Sequence, residues 1–310
     1  VILALLILCG VSGALIKPIQ PEILVVAENV SAHPLFGNFY LTNTLIATLI
    51  GDVVLILLAL AVKRATSSGD LVPKGVSGAM EALVEALYNL TEGSAGKWAK
   101  TIFPYFATIT LLVLCANWLE MIPGVDSIGW LEKAEGPGNQ VMQLTSGISA
   151  IVSHGTQTAA GEGYKIVPFV RPASTDLNFT AGLALIAVVM IQVVGFRAQG
   201  FRYFSKFFNL TTIASKPGLG LMDFIVSILE LISELSKILS FAFRLFGNVF
   251  AGSVLLFLVG SMLPYFQSGV YLFEFFIGLI QAIVFGMLTM VFMSMATQGH
   301  GGEEHEHAAA

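Results

Sequence analysis

Five polar side chains recur on one face of an otherwise apolar stretch: Glu230, Glu234, Lys237, Arg244 and Asn248. Their spacings are 4, 3, 7 and 4 residues. At ~100° per residue they fall within roughly 80° of one another on a helix, and Ser227 joins them. Arg244 is the most informative member. It sits inside Ser240-Phe-Ala-Phe-Arg244-Leu-Phe-Gly-Asn248-Val-Phe-Ala-Gly-Ser253. A fixed charge at the bilayer centre costs ~2.5–3.5 kcal/mol on insertion scales. Arginine cannot escape that cost by losing its proton. An arginine kept in such a place implies work on a charge.

A second stripe lies further along the chain. Glu274, Gly278, Gln281 and Phe285 share a helix face. Glu230 and Arg244 are 14 residues apart, or ~21 Å along a helix. Carboxylates at two depths with an arginine between them are what a split ion path needs. Each acid relays a proton from its own side, and the guanidinium repels a proton taking the direct route. Simpler readings stand beside this one. Glu234 and Lys237 are spaced to neutralise each other. Glu230 suits a solvated helix end. Asn248 and Gln281 suit interhelical hydrogen bonds. A permanent ion pair for Arg244 has no acidic candidate one turn away.

The elements that must hold these residues are membrane helices. Of 310 residues, 55% are hydrophobic and 11% charged, against roughly 25% charged in a soluble domain. Mean hydropathy is +0.82. Apolar stretches long enough to span (~20 residues) run over 44–62, 102–122, 177–196, 221–263 and 271–295. The expected fold is therefore an all-α membrane protein with about five transmembrane helices. The fourth stretch exceeds one upright span, so it is tilted, broken or partly interfacial. Pro264 and Gln267-Ser-Gly269 suggest a tight turn before the last helix. Segment 221–297 then forms a long tilted helical hairpin.

The expected organisation has five parts. Residues 1–42 hold an N-terminal apolar segment and an outer segment. Residues 1–16 read as a signal remnant, a processed precursor or an extra first span. Residues 43–123 hold the first spans and an amphipathic surface helix over 76–98, with Met80, Leu83, Val84, Leu87 and Leu90 at helical spacing. Residues 124–175 form a polar excursion without a clear periodic element. Residues 176–298 form the channel region, and 299–310 a mobile charged tail. Lys and Arg crowd one set of loops, including Lys63, Arg64, Lys97, Lys100, Arg197 and Arg202. That set, with the C-terminus, is expected inside and the 124–175 loop outside. No internal repeat supports an inverted-repeat transporter. No basic patch supports nucleic-acid binding. Cys9 and Cys115 lie in apolar segments, and no cysteine-rich metal spacing exists.

The run Phe241-Ala-Phe-Arg244-Leu-Phe-Gly247-Asn248-Val-Phe-Ala251-Gly252, followed by Gln281-Ala-Ile-Val-Phe285, closely resembles the subunit a family of the F-type ATP synthase. Asp176-Leu-Asn178 at the start of a span and Asn117-Trp-Leu-Glu120-Met-Ile-Pro123 at the end of another agree with it. The resemblance covers roughly residues 35–300. It implies a stator subunit with two proton half-channels, whose tilted hairpin packs against a ring of c subunits. Protons would pass to and from the ring's carboxylate and turn the ring for ATP synthesis. By this resemblance Arg244 is the essential gate facing that carboxylate. Asn248, Ser253, Glu274 and Gln281 match the outer half-channel, and Asp176 is a further candidate there beside its helix-capping role. Glu230 and Ser233 match the inner side, with Glu234 on the same stripe. Relatives often carry Glu at the position of Ser253 and His at that of Glu274. Here the outer path is expected to lean on Glu274.

The resemblance implies no covalent catalysis, no cofactor and no metal. The implied partners are the c ring, the peripheral-stalk b subunits, the rest of the ATP synthase complex and the lipid bilayer. The expected location is a bacterial plasma membrane, with the mitochondrial inner membrane as the alternative. A self-contained secondary transporter or channel is the rival, and a membrane scaffold the third reading. His305 and His307 among glutamates invite a weak metal reading, against that of a mobile tail. His33 and His154 stand alone in loops.

Overall fold

The computed structural model describes residues 26–31, 34, 37, 40–66, 75–122, 125, 128–133, 140–145, 148–151, 163–206, 217–262 and 266–298. The 1–16 segment, His33, His154, Pro264 and the 299–310 tail lie outside them. Among the described residues the helices are α1 Asn43–Thr66, α2 Val76–Ala95, α3 Ala99–Leu119, α4 Leu177–Gln199, α5 Pro217–Met262 and α6 Gln267–Thr297. A 3-10 turn, Gly96–Trp98, joins α2 to α3, and a second, Gly200–Lys206, follows α4. Among the described residues five helical segments are long and apolar enough to cross a membrane: Asn43–Arg64, Gly78–Leu119, Leu177–Tyr203, Phe224–Gly260 and Gln267–Thr297. The expected all-α membrane architecture is what the chain adopts.

Of the options open for the fourth stretch, a break is excluded. α5 runs unbroken for 46 residues, ~69 Å at 1.5 Å per residue. A hydrocarbon core is only ~30 Å thick, so a helix of this length must tilt or project. Its three interior glycines, Gly247, Gly252 and Gly260, lower helix propensity without interrupting it. The turn before α6 also differs from expectation. Gln267, Ser268 and Gly269 are the first turn of α6, not part of the reversal. The first N–H groups of any helix lack intrahelical acceptors, so residues poor for helix interiors cost little there.

The amphipathic segment is helical, but its buried seam is narrower than the apolar face predicts. Leu87, Thr91 and Ala95 are buried, whereas Leu83, Val84 and Leu90 are exposed. The 124–175 excursion contains strands that its polarity hides: β1 Gly129–Lys133, β2 Val141–Thr145, β3 Ile148–Ile151 and β4 Tyr164–Pro168. β1 pairs with β4 and β2 with β3, both antiparallel, as two separate two-stranded ladders.

The chain divides into two compact units that cut across the helices. The first comprises Val1–Val53, Leu114–Phe179 and Phe246–Gln281. In it the end of α3 packs on α6: Trp118 stacks on Phe275 at 4.6 Å and its Nε1 donates to the Phe275 carbonyl at 3.4 Å. The second comprises Val54–Val113, Thr180–Leu245 and Ala282–Ala310. In it α4 buries Leu183, Ala184, Ala187, Val188, Ile191 and Val194, a seam repeating at three and four residues. Phe241 of α5 meets Phe285 of α6 at 5.2 Å. Gly286 lets α6 settle directly on α3, because a Cβ there would collide with Thr110. Thr110 and Thr289 return their hydroxyl protons to the Phe106 and Phe285 carbonyls, at 2.8 and 2.9 Å. Neither hydroxyl is left unsatisfied among apolar neighbours.

Candidate functional site

In the first unit the polar residues form a connected lining. Asp176 caps α4: its Oδ1 accepts the Asn178 N–H at 2.9 Å. Its Oδ2 accepts the Thr44 hydroxyl at 3.0 Å. The capping reading therefore holds, and the second oxygen ties the start of α1 to the start of α4. Asp176 is only 5% exposed. Close by in sequence, Ser174 donates to Asn117 Oδ1 at 2.7 Å, and Asn117 Nδ2 donates to the Gly278 carbonyl at 3.1 Å. Polar groups that a bilayer would strand are thus paired to one another.

Asn117 and Gly278 also line a cleft with Glu120, Tyr271, Glu274 and Leu256. Glu274 sits on α6 with its carboxylate against Gly252 of α5. A Cβ at position 252 would strike that carboxylate, so the glycine makes room for the acid. Glu274 is half-buried and, among the described residues, has neither an ion-pair nor a hydrogen-bond partner. Glu120, at the foot of α3, is the residue that sequence reasoning missed as a site. Its Oε1 accepts the Ser253 hydroxyl. Ser253 of α5 is thus bound to an acid from the end of α3. One signal was present, the match of Asn117-Trp-Leu-Glu120 to the family. What was absent was any clue that Glu120 meets Ser253, 133 residues away.

One turn deeper along the same hairpin, Asn248 Nδ2 donates to Gln281 Oε1 at 2.7 Å. Gln281 is 4% exposed, and its Nε2 has no protein acceptor. A buried amide donor is costly to leave unmatched, which makes this a place for a water molecule or a passing acceptor.

In the second unit the polar stripe of α5 straddles the rim of its buried seam. Glu234 lies on the buried side, 6% exposed. Its Oε1 accepts Lys237 Nζ at 2.8 Å and its Oε2 accepts Gln192 Nε2 at 2.9 Å. Gln192 Oε1 in turn accepts the Tyr203 hydroxyl at 2.6 Å. Lys237 also lies 4.7 Å from the centre of the Phe292 ring. The mutual neutralisation foreseen for Glu234 and Lys237 is therefore present, inside a larger buried network.

Arg244 is different. It is exposed on α5, and among the described residues it has no ion pair and no side-chain hydrogen bond. Ser233 and Ser240 share its strip, at spacings of 7 and 4 residues, and both are exposed. Glu230 is half-buried on the same stripe. A guanidinium with open donors, flanked by small side chains, can meet a carboxylate brought up on another helix.

Comparison with known proteins points the same way. The family model described as ATP synthase A chain matches residues 44–294. The chain is 28% identical over 265 residues to the ATP synthase subunit a of Mycobacterium ulcerans, covering 83% of this chain and 87% of that protein. It is 27% identical over 301 residues to the subunit of the same name in Acidothermus cellulolyticus, covering 93% and 90%. A third relative, from Campylobacter jejuni, is 28% identical over 258 residues, covering 81% and 90%. With more than half of its length matched, the chain belongs to the ATP synthase A chain family.

Proposed function

We propose that this multi-pass membrane protein works as the proton-translocating stator subunit of ATP synthase through two half-paths separated by Arg244. The subunit catalyses no bond-making step of its own. The observation that carries the two-path reading is the contrast between the two cations of α5. Lys237 is consumed by Glu234, whereas Arg244, among the described residues, stays unpaired on an exposed face of small residues. A charge left open in a span needs a partner, and a carboxylate on a c ring supplies one that arrives and departs. Until it arrives, the guanidinium bars protons from the direct route by like-charge repulsion.

The outer half-path runs through Glu274, Asn248, Gln281 and Ser253, with Asp176 near its mouth and Glu120 as a second acid. Glu274 has the freedom a relay needs, because no hydrogen bond from the described residues holds either of its oxygens. Gln281 Nε2 can orient a water on the path from that acid. The inner half-path uses Glu230 and Ser233, bordered by Glu234, which holds the network against Gln192 and Tyr203. The peripheral-stalk b subunits are the remaining membrane partners in this reading. Its place is the plasma membrane of a bacterium, in keeping with the bacterial relatives.

The test is assembly plus proximity. Purified from its own membranes in mild detergent, the tagged chain should bring an oligomeric c ring and an ATPase head. A Ser240→Cys variant should then form a disulfide with a cysteine placed on the outer helix of the ring. Recovery of the chain alone, fully active in ion transport, would instead favour a self-contained transporter.

A further inference from the structure

The β2–β3 hairpin presents an apolar face that stays exposed among the described residues. Directly paired residues share a face, and successive residues alternate. Met142 pairs with Ala150, and Ile148 lies two residues before Ala150 on the same strand. Met142, Ile148 and Ala150 therefore share one face. Gln143 pairs with Ser149 on the other. Met142 is 54% and Ile148 62% exposed. The irregularity between Gln143 and Thr145 leaves Leu144 outside the regular pairing and 57% exposed.

Three further observations decide what covers this face. Residues 140–151 contain no Asp, Glu, Lys or Arg. An isolated two-stranded hairpin is marginal in water and gains stability only by burying a face. Both ends of the excursion enter membrane helices. α3 ends at Leu119, ten residues before Gly129 opens β1, and α4 begins at Leu177, nine residues after Pro168 closes β4. The hairpin is thus tethered on both sides to helices that enter the membrane. Trp130, on β1 of the same excursion, is 60% exposed, and tryptophan favours the headgroup level.

We infer that the β2–β3 hairpin is a membrane-surface anchor: Met142, Leu144 and Ile148 insert into the lipid interface between headgroups and acyl chains. Absence of charge suits that medium. The anchor would brace the link between α3 and α4, whose ends hold Asn117, Glu120, Ser174 and Asp176.

Two adjacent positions on opposite faces make the test. Ile148→Cys and Ser149→Cys are each made in the complete complex, with Cys9 and Cys115 replaced by serine. Each is labelled with an environment-sensitive fluorophore and reconstituted into phosphatidylcholine vesicles, with and without a nitroxide-bearing lipid. The label at 148 should be blue-shifted and quenched by the lipid nitroxide severalfold more than the label at 149. Met142→Cys against Gln143→Cys repeats the contrast if either first variant fails to assemble. Equal quenching on the two faces would overturn the inference. So would a label at 148 shielded from both the lipid nitroxide and aqueous iodide, because another subunit would then cover the face.

Discussion

Glu234 and Glu274 are both partly withdrawn from solvent on the two long helices, yet their surroundings are opposite. Glu234, in the second unit, has both oxygens engaged, by Lys237 and by Gln192. Glu274, in the first, rests in a cleft against a glycine, with no fixed partner among the described residues. The two cations repeat the contrast. Lys237 is paired and lies by an aromatic ring, whereas Arg244 is open. Depth in the membrane is thus a poor guide to function by itself. A charge whose hydrogen bonds are complete is structure, and a charge with spare capacity is available for traffic. The second unit contains both kinds, Lys237 and Arg244, seven residues apart on one helix.

The contrast can be broken at four points, taken from the largest effect on coupling to the smallest. Arg244→Ala should abolish ATP synthesis driven by a proton gradient in membrane vesicles, while the complex still assembles. Glu274→Gln removes the proton carrier and keeps the shape. ATP-driven acidification of proteoliposomes should fall on the order of tenfold or more, and unchanged pumping would remove Glu274 from the path. Ser253→Ala and Glu120→Ala each remove one side of the same contact. Each should lower proton flux partially, and the double variant should lose little more than the worse single, as expected for one shared interaction. If the two effects simply add, Glu120 and Ser253 act separately. Glu234→Gln should barely change the ratio of protons moved to ATP made. It strands Lys237, so the complex should unfold more readily, with a cost of up to ~3–5 kcal/mol for a broken buried pair. A loss of coupling at unchanged stability would move Glu234 from structure to traffic.

Much of this arrangement could be read from residue types and spacing. The spans announce themselves because hydrocarbon tolerates few charges, so their placement followed from composition, with ends shifted by a few residues. Arg244 stood out for the same reason. The first turn of α6 did not, since Gln267-Ser-Gly269 reads as a loop unless the helix beyond it is known. The strands of the excursion were hidden because each is only four or five residues long, too short for a periodic signal. Glu120 was missed as a site because its meaning lies in a contact with Ser253 from another helix. Spacing along one chain can reveal which residues share a face, but not which faces meet.

The central claim is that Arg244 keeps two half-paths from joining while a moving acid passes between them. The direct test is proton flow with motion stopped. Complexes carrying native Arg244 or Arg244→Ala are reconstituted in vesicles, their c ring is cross-linked to the stator, and proton uptake under an imposed potential is followed with a pH dye. The account predicts no flow through the locked native complex and a clear leak through the locked Arg244→Ala complex. A locked native complex that conducts, or a locked variant that stays as tight as the native one, would contradict it.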